Sequence, residues 1–320
     1  MNSLTEIAGV LRNSRKVILC GHVMPDGDCL GSVAALGAAL EQMGKDVTLA
    51  SPDPVPEIYG FLPVMGKFLI GEKPLSGEYD TFIILDCSVP ERLGKLKSLL
   101  ERDMVFVNID HHKGPGDFAG YNYIDDSAAA TGEIVMDLID LLNAGITGDI
   151  AVSLYVALST DTGSFQYENT TPGTLKKAAR LMEAGIHSTW ININLYEERP
   201  LVILRVMEKA LENMEISPCG KVAWTSIDKS TLNSMAARDE HTDGLINIVR
   251  TIKGVEIAIF FREITSGKFK VSFRSKSRVD VRLLAGKFGG GGHVRASGCV
   301  LEGDVDGIKK MVVAAALKEI

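Results

Sequence analysis

The chain's 320 residues leave room for one large domain or two ordinary ones, and a hydrophobic share of 46% is that of a globular protein. Its formal net charge of -7 disfavours a protein that coats long nucleic acid, because such binding neutralises many phosphates. No stretch approaches the roughly 18 uncharged apolar residues of a membrane helix, and Cys20, Cys29, Cys87, Cys219 and Cys299 form an odd set without a CxxC pair, which argues against a disulfide framework or a zinc knot. The start, MNSLTEIAGVLRNSRK, is amphipathic and lacks a signal peptide's apolar core, so a cytoplasmic location and no membrane partner are expected.

In chain order, the apolar run KVILC (16–20) ends at Gly21-His22, and a helical pattern follows from Cys29 to Met43. Similar runs at 47–50, 81–86 and 104–110 are continuously apolar, which suits strands covered on both faces and predicts a parallel sheet flanked by helices. Helical patterns cover 131–143, 149–159 and 172–184, the last with Pro172 in its first turn. A second, smaller mixed α/β unit is expected from a helix at 201–213, strands at 221–227, 255–264 and 268–275, a hairpin turn at Ser266-Gly267, and helices at 281–288 and 305–317. The expected division is residues 1–190, a linker at 191–200, and residues 201–320.

The chemistry gathers at strand ends. His22-Val-Met-Pro-Asp26-Gly-Asp28 lies where a strand gives way to a helix, and a tight Pro/Gly turn can aim several oxygen and imidazole donors at one cation. Taken alone, Asp26 and Asp28 read as a turn former and a helix N-cap, respectively. Asp86 ends the third strand, Asp110-His111-His112 ends the fourth, and Asp161 follows a long apolar stretch, with Gly163 permitting a sharp turn. Ligands of open α/β sheets collect beyond the carboxyl ends of the strands, so these residues address one edge. Three of the six histidines fall in the set, more than packing requires. Oxygen-rich, partly imidazole ligation without thiolates suits manganese, with magnesium as the other candidate.

From Lys268 to Arg295 there are eight Lys and Arg against one acid, Asp280, so this segment offers an anion a docking place. Within it, Gly289–Gly292 runs between an apolar helical pattern and a strand-like one, where backbone N–H groups can approach an anion, with His293, Arg274, Ser275 and Lys276 as further donors.

On HVMPDGD, TFIILD, IDHH, TDTGSF, FRSK and FGGGGHVRASG the chain resembles the DHH phosphoesterase superfamily with its DHHA1 domain, and within it the bifunctional oligoribonuclease (nanoRNase) and 3′-phosphoadenosine 5′-phosphate (pAp) phosphatase group. The resemblance implies an active site in the cleft between two domains and two Mn2+ ions: one on His22, Asp26 and Asp86, the other on Asp28, Asp86, His111 and Asp161. It further implies that Asp110 orients a ligand, that His112 meets the substrate phosphate, and that Arg274, Ser275, Lys276, Gly290, Gly291, Gly292 and His293 grip the substrate. Gln166 stands where members often carry a basic residue. The implied substrates are short oligoribonucleotides, pAp or dinucleotides, including cyclic di-AMP, pApA and pGpG; a homodimer is also implied. A RecJ-like exonuclease, a family II pyrophosphatase and a catalytically silent nucleotide-binding regulator are the less favoured alternatives.

Overall fold

The computed structural model describes residues 1–71, 78–112, 114 and 117–320, which divide into two compact units, Met1–Glu198 and Arg199–Ile320. In the first unit the strands are β1 (Lys16–Cys20), β2 (Asp46–Ser51), β3 (Leu69–Ile70), β4 (Thr81–Leu85), β5 (Val105–Asp110) and β6 (Tyr121–Ile124). Its helices are α1 (Leu4–Asn13), α2 (Gly27–Gln42), α3 (Thr131–Leu142), α4 (Gly148–Asp161), α5 (Pro172–Glu183) and the short α6 (Ser188–Asn192). All six strands run parallel in the order β3-β2-β1-β4-β5-β6.

Alternate residues of one strand enter different cores, which is why the strand sequences are apolar throughout. Val17 and Leu19 of β1, with Ile83 and Leu85 of β4, face the core built with α1 to α5. Ile18, Cys20, Phe82 and Ile84 face the opposite core, closed by Leu93, Leu96 and Leu99 from the irregular helical segment Pro90–Glu101. The strand order reverses between β1 and β4, and the crevice beyond the carboxyl ends of the strands at such a switch point is where ligands of this architecture bind.

Two glycines let α2 and α4 approach closely. A Cβ on Gly31 would stand 2.3 Å from the Ser153 carbonyl oxygen, and one on Gly27 would stand 2.5 Å from the Thr160 side chain. Because these contacts pair the start of α2 with the end of α4, they carry Asp26 and Asp28 to the neighbourhood of Asp161.

The second unit holds α7 (Leu201–Glu212), β7 (Glu215–Ile216), β8 (Val222–Ile227), α8 (Lys229–Ser234), α9 (Leu245–Thr251), β9 (Ile257–Thr265), β10 (Lys268–Ser275), α10 (Val281–Gly286), β11 (Gly291–Gly292), β12 (Ala296–Glu302) and α11 (Val305–Leu317). Its sheet has the order β11-β12-β10-β9-β8-β7, with β8 parallel to β9 and the other neighbours antiparallel. The expected hairpin is β9–β10, turning at Gly267 with φ +74°. Strand β10 alternates strictly: Phe269, Val271 and Phe273 enter the core with α10 and α11, while Lys268, Lys270, Ser272 and Arg274 point the other way.

Short elements were not anticipated. Strands β3 and β6, helices α6, α8 and α9, and the segment Pro90–Glu101 are too brief or too irregular to display a period. Among the described residues no helix is long and apolar enough to cross a membrane.

Candidate metal centre

Beyond the strand ends the polypeptide places each acidic and imidazole side chain by a local device. Asp26 caps α2, accepting from the Cys29 amide through Oδ1 at 3.0 Å, while its Oδ2 lies 3.7 Å from His22 Nε2. The cap is thus Asp26, where the sequence suggested Asp28, and capping through Oδ1 leaves Oδ2 of the same carboxylate turned toward His22. Asp28 is buried within the first turn of α2 and accepts at Oδ2 from the Thr131 amide (2.6 Å) and at Oδ1 from the Gly132 amide (2.9 Å) and Ser32 Oγ (3.1 Å). The start of α3 therefore fixes this carboxylate with its own free N–H groups. Asp86 follows β4 with φ +59°, a left-handed conformation that aspartate tolerates better than most residues and that turns its carboxylate inward.

Two histidines are held in a defined orientation. His22 Nδ1 lies 2.7 Å from the Val23 carbonyl and His111 Nδ1 lies 3.2 Å from the Ala128 carbonyl, so each ring donates from Nδ1 and turns Nε2 toward carboxylates. His22 Nε2 is 3.3 Å from Asp86 Oδ2; His111 Nε2 is 3.5 Å from Asp161 Oδ2, 3.7 Å from Asp86 Oδ1 and 3.8 Å from Asp28 Oδ2. Either a proton or a metal cation must stand between each Nε2 and these oxygens. Donors about 2.0–2.2 Å from one ion are themselves about 3.0–3.6 Å apart, close to the separations seen. His22, Asp26 and Asp86 form one group whose donor atoms lie within 4.8 Å of one another, and Asp28, Asp86 and His111 form another, with Asp86 common to both.

The electrostatics fit a cation. Burial, then the charges of Asp86, Asp161 and Asp26, push the Asp28 carboxyl well above the usual range. Burial raises Asp161 to about 7, with Asp26 and Asp86 adding to the rise and His111 opposing it. Burial alone would raise Asp86 too, yet contacts with His112 and His22 hold it well below the usual range. Burial pulls His22 down, but Asp26 and Asp86 outweigh it and bring the ring to about 9. Without a metal the cluster thus holds protons that a divalent ion would displace. The residues present can hold metal ions.

Asp110 works differently from the other acids. Its Oδ1 accepts from the His111 amide (2.8 Å), the His112 amide (3.1 Å) and His112 Nδ1 (2.7 Å), while Oδ2 is buried without a hydrogen-bond partner. His112 Nδ1 also lies 3.3 Å from Asp86 Oδ1. Burial lowers the His112 pKa, but Asp110 and Asp86 more than offset it, to about 11, so the ring carries its proton and is suited to an anion. The Asp110→Asn variant keeps an acceptor and loses the charge. Its alkaline limb of activity is expected at lower pH than wild type, and turnover below that limb is expected to fall about tenfold or more because the ring loses its charge-assisted anchor; an unchanged pH–rate profile would refute the role of Asp110.

The remaining candidates belong to the second unit. Arg274 ends the polar face of β10, with Nη1 donating to the Phe273 carbonyl at 3.0 Å. Ser275 is buried, its hydroxyl donating to the Val279 carbonyl at 2.6 Å, and Lys276 Nζ donates to the Ile252 carbonyl at 3.0 Å. The glycine run packs as β11 against β12: a Cβ on Gly290 would stand 2.2 Å from the Gly298 carbonyl oxygen, so close backbone approach demands glycine there. His293 closes the turn, exchanging main-chain hydrogen bonds with Ala296.

Sequence reasoning missed the supports. Thr131, whose Oγ1 donates to Asp86 Oδ1 at 3.2 Å, Gly132, Ser32 and the Ala128 carbonyl all orient the cluster. The only signals were the small residues before and within the start of α3 and the Gly27/Gly31 spacing of α2.

Fold and donor set together define an α/β protein that can hold divalent cations at the switch point of a parallel sheet. Residues 16–159 match the DHH family, N-terminal domain, and residues 229–319 match the DHHA1 domain. The bifunctional oligoribonuclease and PAP phosphatase NrnA of Thermus thermophilus is 32% identical over 305 residues, 95% of this chain and 90% of that protein. A solved exopolyphosphatase-related protein from Bacteroides fragilis superposes with a TM-score of 0.91 at 26% identity, covering 98% of this chain and 95% of that one. Exonuclease RecJ bound to manganese shares the fold with a TM-score of 0.51 at 15% identity, covering 100% and 97% of the two chains. The chain belongs to the DHH family.

Proposed function

We propose that this phosphoester hydrolase degrades oligoribonucleotides of two to about five residues to 5′-mononucleotides and removes the 3′-phosphate of pAp, in the cytoplasm, with two Mn2+ ions. One observation carries the reading: two donor groups share Asp86 in a chain 32% identical to an oligoribonuclease and PAP phosphatase over nearly its full length. His22, Asp26 and Asp86 would hold one ion, and Asp28, Asp86, His111 and Asp161 the other. Bound there, divalent ions would supply an acidified water and neutralise phosphoryl oxygens.

The chain's own residues do the rest. Asp86 keeps one oxygen toward His22 and the other toward His111. Protonated His112, held by Asp110, hydrogen-bonds a phosphoryl oxygen and stabilises charge as the P–O bond breaks. Arg274 takes a phosphate of the substrate, with Lys276, the Gly290–Gly292 run and His293 beside it, while buried Ser275, bonded to the Val279 carbonyl, supports the strand end from behind. A short anionic substrate agrees with the net charge of -7, which disfavours long polymers.

Turnover of pAp, RNAs of graded length, and cyclic and linear dinucleotides should be compared with Mn2+ present. Preference for di- to pentanucleotides and pAp is expected; preference for cyclic di-AMP or pGpG would instead make the enzyme a dinucleotide-signal phosphodiesterase. Arg274→Ala is expected to raise KM about tenfold or more with a smaller change in kcat, as loss of a charge-assisted phosphate contact does.

A further inference from the structure

We infer that Asn169 is a positioning residue for the metal donors, an assignment that rests on reading the cluster as a divalent-cation centre. Its side-chain amide makes two donations, to the Ala129 carbonyl at 3.0 Å and to the Asp161 carbonyl at 3.1 Å. An amide NH2 has two hydrogens, and both are used.

The two carbonyls belong to the segments that arrange the site. Ala129 sits between Ala128, whose carbonyl fixes the ring of His111, and Thr131-Gly132, whose amides fix the carboxylate of Asp28. Asp161 closes α4, with its carboxylate 3.5 Å from His111 Nε2. One side chain therefore ties the backbone behind three candidate ligands. Both of its hydrogen bonds go to main-chain carbonyls and not to the donor atoms of the cluster.

The orientation of the amide is determined by its surroundings. A flipped amide would set Oδ1 against both carbonyl oxygens, so the NH2 must face them. Oδ1 is then left buried without a hydrogen-bond partner, which the fold tolerates for the sake of the two donations. The intervening loop is built to return here. Gly163, Ser164 and Phe165 all adopt positive φ, Thr170 closes a turn on the Tyr167 carbonyl, and Thr171 caps α5 with Pro172 at its start. Backbone strain collected beside a functional cluster is where a positioning role is found.

The test uses the full-length protein and two variants, Asn169→Leu, which keeps the outline and removes the donors, and Asn169→Ala. Calorimetric titration with Mn2+ is expected to give a Kd raised 10- to 100-fold, the usual cost of removing an outer partner of a metal site. At saturating Mn2+, KM for a dinucleotide should stay within about twofold of wild type while kcat falls, because no substrate contact is lost. Wild-type Mn2+ affinity in a folded variant overturns the role of Asn169 alone. Equal Mn2+ binding by wild type and Asp86→Asn, or none by wild type, removes the metal reading and this assignment with it. Failure of both Asn169 variants to fold also overturns it, since the residue would then serve the fold as a whole.

Discussion

Asp86→Asn is expected to lower Mn2+-dependent turnover by about 10³-fold or more, and to abolish tight Mn2+ binding, without unfolding the protein. Asparagine suits the test because it tolerates the φ of +59° at this position, whereas alanine would add backbone strain to the loss of charge. The buried carboxylate has a partner on each side: Oδ2 faces His22 at 3.3 Å, and Oδ1 faces His111 at 3.7 Å and His112 at 3.3 Å. No other acid in the cluster serves both donor groups. Its loss should therefore cost more than that of Asp26, which serves one group and is half exposed. Turnover and calorimetry on Asp86→Asn and Asp26→Asn check the ranking. Near-wild-type turnover in Asp86→Asn would sink the shared-ligand arrangement.

Much of this was legible in the sequence because the relevant physics is local. Strand β10 and helix α11 fall at their expected limits, since a period of 2 or 3.6 sustained over several residues leaves little choice. The strand ends at His22, Asp86 and Asp110 were readable as well, because a continuous apolar run that stops at a charged residue marks where a buried strand leaves the core. What was not readable depends on distant partners. Thr131 and Gly132 hold Asp28 across more than a hundred residues, and the small residues at the start of α3 do not say which distant carboxylate they serve. The glycine run looked like an anion cradle, and the geometry adds a packing demand at Gly290 that arises only when β12 lies alongside. Asp161 was expected after an apolar stretch; it closes a helix, so it reaches the strand edge only because two glycines let α4 lie against α2.

That close approach gives the second large effect: Gly31→Ala is expected to destabilise the protein and weaken the proposed metal site together. On helix propensity alone the substitution should stabilise by up to about 1 kcal/mol. At Gly31, however, the new Cβ would meet the Ser153 carbonyl oxygen at 2.3 Å and the Ala157 Cβ at 3.1 Å, far inside van der Waals contact. Overpacking of this kind costs about 1–3 kcal/mol, so it wins. The obstruction is a main-chain oxygen that no rotamer change can move, so α2 and α4 must part and separate Asp28 from Asp161. Gly9 in α1 supplies the control, because a Cβ there would meet nothing within 4 Å. Denaturant unfolding should show Gly9→Ala at or above wild-type stability and Gly31→Ala below it, with Mn2+ affinity reduced about tenfold or more only in the latter. Adding Ala157→Gly should not restore Gly31→Ala, since it removes the methyl group and leaves the carbonyl in place; full recovery would show that the helices are held apart by side chains instead.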